Sequence, residues 1–136
     1  MEKINVKIGW SGENFSCIAD DAVLNGIVLA TCETLEGLKK QFRESLQFHI
    51  NGCIEDGNQL PEWLINGQYD LNFTLEISAL LHSFDGILTR SAIARAAGIN
   101  EKQIEYYASG YRIPRPQQKK KILNAFHSIG KELVSV

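Results

Sequence analysis

The spacing of apolar residues changes character once along this chain, and that change limits the fold more than any other feature. In KINVKIGW, Ile4, Val6, Ile8 and Trp10 alternate with Lys3, Asn5, Lys7 and Gly9, the period-2 pattern of a half-buried strand. FSCIAD returns after Ser11-Gly12-Glu13-Asn14, so the two segments read as an antiparallel hairpin with a four-residue connection. Past a loop from Asp20 to Gly26, IVLATCE is β-branched and apolar enough for a third strand. Leu35, Leu38, Phe42, Leu46, Ile50 and Cys53 then recur at spacings of three and four. They predict one long helix over about Leu35 to Ile54, capped by Thr34, with Glu36 in its first turn, and closed at Asp56-Gly57-Asn58. YDLNFTLEI alternates again, placing Tyr69, Leu71, Phe73, Leu75 and Ile77 on one face of a fourth strand. The order β-β-β-α-β, with no other helix, predicts an α+β layer of one small sheet under one helix.

From Ser78 onward the period is helical. ISALLHSF closes at Asp85-Gly86, TRSAIARAAG runs from Thr89 to Gly98, and NEKQIEYYASG runs from Asn100 to Gly110, each segment with its own start and stop signals. A last helix from about Arg115 to Val134 accepts Pro116 in its first turn and aligns Ile122, Phe126, Ile129 and Leu133. Two domains are therefore expected, residues 1–77 and an all-α unit at 78–136, joined without a Pro/Gly/Ser-rich linker.

Charge divides at the same place. Residues 1–77 hold 5 basic and 12 acidic side chains, a net of −7, whereas residues 78–136 hold 9 basic and 4 acidic, a net of +5. The first unit suits a basic partner and the second is attracted to phosphates. No apolar run approaches the roughly 18 residues of a membrane span, and MEKINVKIGW is not a signal sequence, so a cytoplasmic protein with no membrane partner is expected. Cys17, Cys32 and Cys53 lie too far apart for a CxxC pair and read as reduced thiols.

The segments Thr89–Ala97 and Asn100–Ser109 have the proportions of a helix-turn-helix. Small Ala94 and Ala97 let the helices approach, Gly98 supplies the turn, and Ile93, Ile99, Ile104 and Tyr107 form the buried contacts. Asn100 at the helix start and Lys102, Gln103 and Tyr106 just after it then face outward, where a recognition helix offers side chains to DNA. Arg90 on the supporting helix suits a phosphate, and Arg112 and Arg115 form a basic flank. Lys119, Lys120 and Lys121 point in three directions on a helix and read as a solvated face.

Leu88–Pro114, LTRSAIARAAGINEKQIEYYASGYRIP, resembles the Xre/Cro-type helix-turn-helix, in which a small residue, a turn glycine and a closing glycine recur as Ala94, Gly98 and Gly110 do here. The whole chain is similar to the HicB-like antitoxins of bacterial type II toxin-antitoxin systems. The resemblance runs through INVKIGWSGENFSCIAD, IVLATCETLEGLKKQFRESLQFHINGCIEDG and the C-terminal helices, ending in ILNAFHSIGKELVSV. It implies a truncated RNase H-like first unit that blocks a small mRNA-cleaving HicA-like toxin, and a second unit that represses the operon at operator DNA. Since one helix reads only a few base pairs, a homodimer or higher homo-oligomer is expected on a palindromic operator. The resemblance carries no toxin-contact residue onto this chain. Where many members have a Pro-Asp-Leu-Pro-Gly turn, this chain has DDAVLNG, Asp20 to Gly26.

Catalysis is not expected. A two-metal nuclease needs converging carboxylates, typically with one on the first strand, and Ile4–Trp10 carries none. Asp20 and Asp21 are neighbours that would point to opposite faces of a strand. His49 and Cys53 supply only two of the four ligands of structural zinc, and His82 and His127 have no neighbouring Cys or carboxylate pair, so no metal or cofactor is expected. Trp10 and Trp63 read as core or interface anchors, with no basic interleaving around them. The alternatives are a solitary transcription regulator whose first unit dimerises or senses a ligand, and a scaffold that binds no DNA.

Overall fold

The first three alternating segments form β1 (Glu2–Ser11), β2 (Asn14–Asp21) and β3 (Gly26–Cys32). In the computed structural model, which describes all residues from Met1 to Val136, they pair antiparallel in chain order. β4 (Tyr69–Leu75) lies parallel to β1, giving a four-stranded mixed sheet of order β3-β2-β1-β4. The β1–β2 connection is shorter than expected. Ser11 pairs with Asn14, so the turn is Gly12-Glu13 alone, with Gly12 at φ 65° as the first position of a type II′ turn demands.

β3 and β4 run in the same direction at opposite edges, which requires a crossover. Helix α1 (Leu35–Glu55) supplies it, starting at Thr34, whose hydroxyl accepts from the Gly37 amide. The helix runs back along β3. Gly37 abuts the strand's far end, where a Cβ would lie 2.6 Å from Cys32 Sγ, and His49 Nε2 donates to the Leu24 carbonyl (2.6 Å) just before its near end. Leu38, Phe42, Leu46 and Ile50 are buried, as are Ile4, Val6 and Ile8 on β1 and Cys17 and Ala19 on β2. DDAVLNG is not an open loop. Asp21 caps a single 3-10 turn, Ala22–Leu24, that buries Leu24 before Asn25 turns left-handed. A one-turn helix, α2 (Glu62–Ile65), with buried Leu64, stands in the segment where no helix was expected.

The chain forms two compact units, Met1–Glu76 and Ile77–Val136. The division falls one residue before the expected place because Ile77, read above as the end of the fourth strand, starts α3 (Ile77–Ser83) and is buried in the second core. That core gathers Ile77 and Leu81 with Ile93, Ile99, Ile104, Tyr107 and Ile122 from α4 (Arg90–Ala97), α5 (Glu101–Ser109) and α6 (Pro116–Val134). The stripe on α6 also shifts. Ile122 and Ala125 are buried and Phe126 and Ile129 half-buried, but Leu133 is exposed. No helix is long and apolar enough to cross a membrane.

Burial pushes the Cys17 thiol from about 9 up to about 11, against a backbone hydrogen bond from Ala30. Burial also raises the Tyr69 hydroxyl, with Arg43 opposing the shift. The unfolded chain loses these protons first, so stability should hold up to about pH 9 and fall as the pH approaches about 11. Urea midpoints measured from pH 7 to 10.5 should fall less steeply for Cys17→Ala than for the parent. Equal slopes would contradict the shift.

Candidate nucleic-acid interface

α4 and α5 are positioned by their ends. Thr89 accepts from the Ala92 amide and Asn100 from the Lys102 amide (2.8 Å), so each helix has a side-chain N-cap. Gly98 (φ 68°) and Gly110 (φ 80°) close them in the left-handed conformation. Between the helices Ala94 is buried and Ala97 half-buried, while Ile93, Ile99, Ile104 and Tyr107 occupy the core as their spacing predicts.

Lys102, Gln103 and Tyr106 lie on the outer side of α5, exposed or half-buried. The chain leaving the helix folds back to them: the Arg112 amide donates to the Tyr106 carbonyl (3.2 Å). The Arg112 guanidinium then sits 5.0 Å from the Tyr106 ring centre and 5.9 Å from that of Tyr111, and Lys102 Nζ lies 6.0 Å from Tyr106 on the same ring system. A cleft beside them is lined by Gln103, Arg112, Ile113, Arg115 and Gln118. The fold thus brings together Lys102, Gln103, Tyr106, Arg112 and Arg115 from 14 residues of sequence.

The expected side chains are not all unengaged. Gln103 Nε2 donates to the Tyr107 hydroxyl (3.0 Å) and its Oε1 accepts from Arg112 Nη1 (3.4 Å). Its amide is therefore oriented before any ligand arrives, with one N–H and one lone pair left over. Asn100 spends its carbonyl oxygen on the cap. Arg90 departs furthest from expectation. Its Nη2 pairs with Asp85 Oδ1 (2.8 Å), its side chain is only 15% exposed, and Nη1 is buried without a partner. A guanidinium held in this way braces the start of α4.

Asp85 also engages His82, whose Nδ1 lies 3.1 Å from Asp85 Oδ2 and whose Nε2 donates to the Ala108 carbonyl (2.8 Å). The carboxylate three residues on was the signal that spacing offered, and it holds the imidazole that ties α3 to the end of α5. Glu105 lines a separate groove with Asp85 and Arg90, so the acidic row Glu101/Glu105 runs beside the row of Lys102 and Tyr106 and does not cover it. Sequence reasoning missed Tyr111 and Ile113, both exposed. YYASGYR places an aromatic five residues after Tyr106 and an arginine next to it, an interleaving sought only around the tryptophans. No three His, Cys, Asp or Glu side chains converge as a metal-holding group; His49 and Cys53 approach to 3.6 Å and both face the Leu24 carbonyl.

A scan against models of protein families, a search of curated proteins and a search of solved structures each return no match.

A methyl group at Gly98 would meet nothing within 4 Å, so Gly98→Ala isolates the cost of left-handed backbone at the turn. The variant should lose about 1–2 kcal/mol in urea unfolding with its m-value unchanged. An unchanged midpoint would show that the turn does not require glycine.

Proposed function

We propose that this chain is a HicB-like antitoxin. Met1–Glu76 binds and blocks a small basic mRNA-cleaving toxin, and Ile77–Val136 represses the operon at operator DNA as a homodimer or higher homo-oligomer. In this reading α4, Gly98 and α5 form an Xre/Cro-type helix-turn-helix with α5 in the major groove. The observation that carries it is the row of Lys102, Gln103, Tyr106 and Arg112 along the outer side of α5, in a unit of net charge +5. Gln103 offers donor and acceptor to adenine, Lys102 donates to guanine, and Arg112 and Arg115 meet phosphates. For the first unit, the mixed sheet crossed by α1 is compatible with a truncated RNase H-like fold, and its net charge of −7 complements a cationic RNA-binding surface, so docking there excludes RNA.

Because Arg112 donates to Gln103 and packs on Tyr106, base reading and phosphate anchoring are coupled. Titrating the full chain with DNA from upstream of its own reading frame, at several salt concentrations, tests this. Gln103→Ala should cost about 1–3 kcal/mol at one operator position. Arg112→Ala should lower the salt slope by about one unit and also weaken that position's preference, and the double variant should lose less than the sum. Equal loss on every sequence for Gln103→Ala, or strict additivity, would refute the arrangement. Co-expression with the product of the adjacent gene tests the toxin arm. DNA binding without neutralisation would identify a solitary regulator.

A further inference from the structure

β3 is the outer strand of the sheet and is paired on one side only, with β2. Free edges ordinarily carry a charge, a proline or a bulge, because their unpaired N–H and C=O groups recruit other strands. The seven residues GIVLATC contain no charge and no proline, and the register with β2 runs unbroken from Phe15–Cys32 to Asp21–Gly26. Apolar side chains flank the edge on both faces. Ile27 and Leu29 are 54% and 60% exposed on the open face, Leu29 beside its cross-strand partner Ile18, and Phe48 of α1 is 81% exposed on the other. Between strand and helix runs a groove lined by Val28, Leu29, Ser45, Phe48, Gly52 and Asp56. Gly52 lies inside a helix, where glycine is unfavourable, yet a Cβ there would meet nothing within 4 Å, so packing within the unit does not call for it.

Charge selects the occupant. Asp56 lines the groove, Asp21 adjoins the start of β3, and Glu44 and Glu55 share the helical face of Phe48. Lys39 and Arg43 lie over Phe73 at the opposite edge, and Lys40 is two turns away from Phe48. A second copy of the chain would set these carboxylates against one another, whereas lysines or arginines on a partner would pair with them. We propose that the free edge of β3 docks an extended segment of a basic protein, which adds a fifth strand to the sheet. Main-chain hydrogen bonds continue the ladder, apolar side chains on one face of the added strand settle beside Ile27 and Leu29, and cations on its other face pass Phe48 to meet Asp56, Glu44 and Glu55. The inference rests on the reading that the acidic unit binds a basic protein, and it specifies where.

The test uses two blocked ten-residue peptides, one alternating lysine and valine and the other glutamate and valine, titrated into the isotope-labelled full chain. The lysine peptide should saturably shift the amides of Ile27 to Cys32 and of Phe48 and slow hydrogen exchange along β3, while the glutamate peptide should not. Leu29→Lys and Gly52→Gln should each weaken binding at least tenfold, with Gly52→Gln unfolding no earlier than the parent. Shifts elsewhere, equal binding of both peptides, or concentration-dependent pairing of the chain with itself through β3 would overturn the proposal. Undiminished neutralisation of the adjacent gene's product by Leu29→Lys would overturn the docking edge alone. Failure of the parent chain to neutralise would overturn the antitoxin reading and leave the peptide titration to judge the edge.

Discussion

One helix has to cover a four-stranded sheet, and the geometry of the first unit follows from that mismatch. The outer strand axes stand roughly 14 Å apart and an α-helix is about 10 Å across. α1 resolves the problem by packing chiefly on β3 and β2. Val28, Cys17, Ala19 and the three isoleucine and valine positions of β1 are buried as a result, whereas Tyr69, Leu71, Phe73 and Leu75 on β4 are only half-buried. The close approach at the β3 end is possible because Gly37 has no side chain to meet Cys32 and Thr34. At the other end His49 fastens the helix to the 3-10 turn. The same placement leaves the outer backbone of β3 and the Phe48 ring uncovered, so the route of the crossover also determines which edge is available.

The second unit meets a different constraint. Its helices are short, and three of the four carry no more than nine residues, so their orientation depends on contacts at their ends. Asp85 is central to this. It holds Arg90 at the start of α4 and His82 on α3, and His82 in turn donates to the last turn of α5. A largely buried guanidinium without that carboxylate would be costly, which is why Arg90 belongs to the frame and Arg112, on the far side, to the surface. On that surface the cations are held by aromatic rings and by an amide. Packing on Tyr106 and Tyr111 restricts Arg112 without neutralising it, so its charge stays available to an anionic ligand while its freedom is already reduced.

The two units also differ in electrostatic character, and the boundary between them coincides with the change of hydrophobic period. An acidic sheet unit and a basic helical unit favour ligands of opposite sign, so a single ligand surface does not serve both. That division underlies the two activities proposed and explains why the net charge of the whole, −2, conveys so little.

Much of the fold was legible in the sequence because the controlling interactions are local. Alternation gave the strands, the three-and-four spacing gave α1, and Thr34, Thr89, Asn100, Gly98 and Gly110 marked helix ends, since caps and left-handed glycines act within one turn of chain. Periodicity failed where a residue's partner lay outside its own segment. Ile77 continues the alternation of β4 yet is buried among helices, and Leu133 continues the stripe of α6 yet finds nothing to pack against. The residue types of the candidate site were visible in the same way, because Lys102, Gln103 and Tyr106 share one helical face. Only the tertiary structure decided their states: Arg90 is bound by Asp85, Gln103 is held between Tyr107 and Arg112, and Tyr111 returns to Tyr106. A side chain's direction follows from local backbone, but whether it meets a partner depends on distances that the chain sets only after its elements have packed.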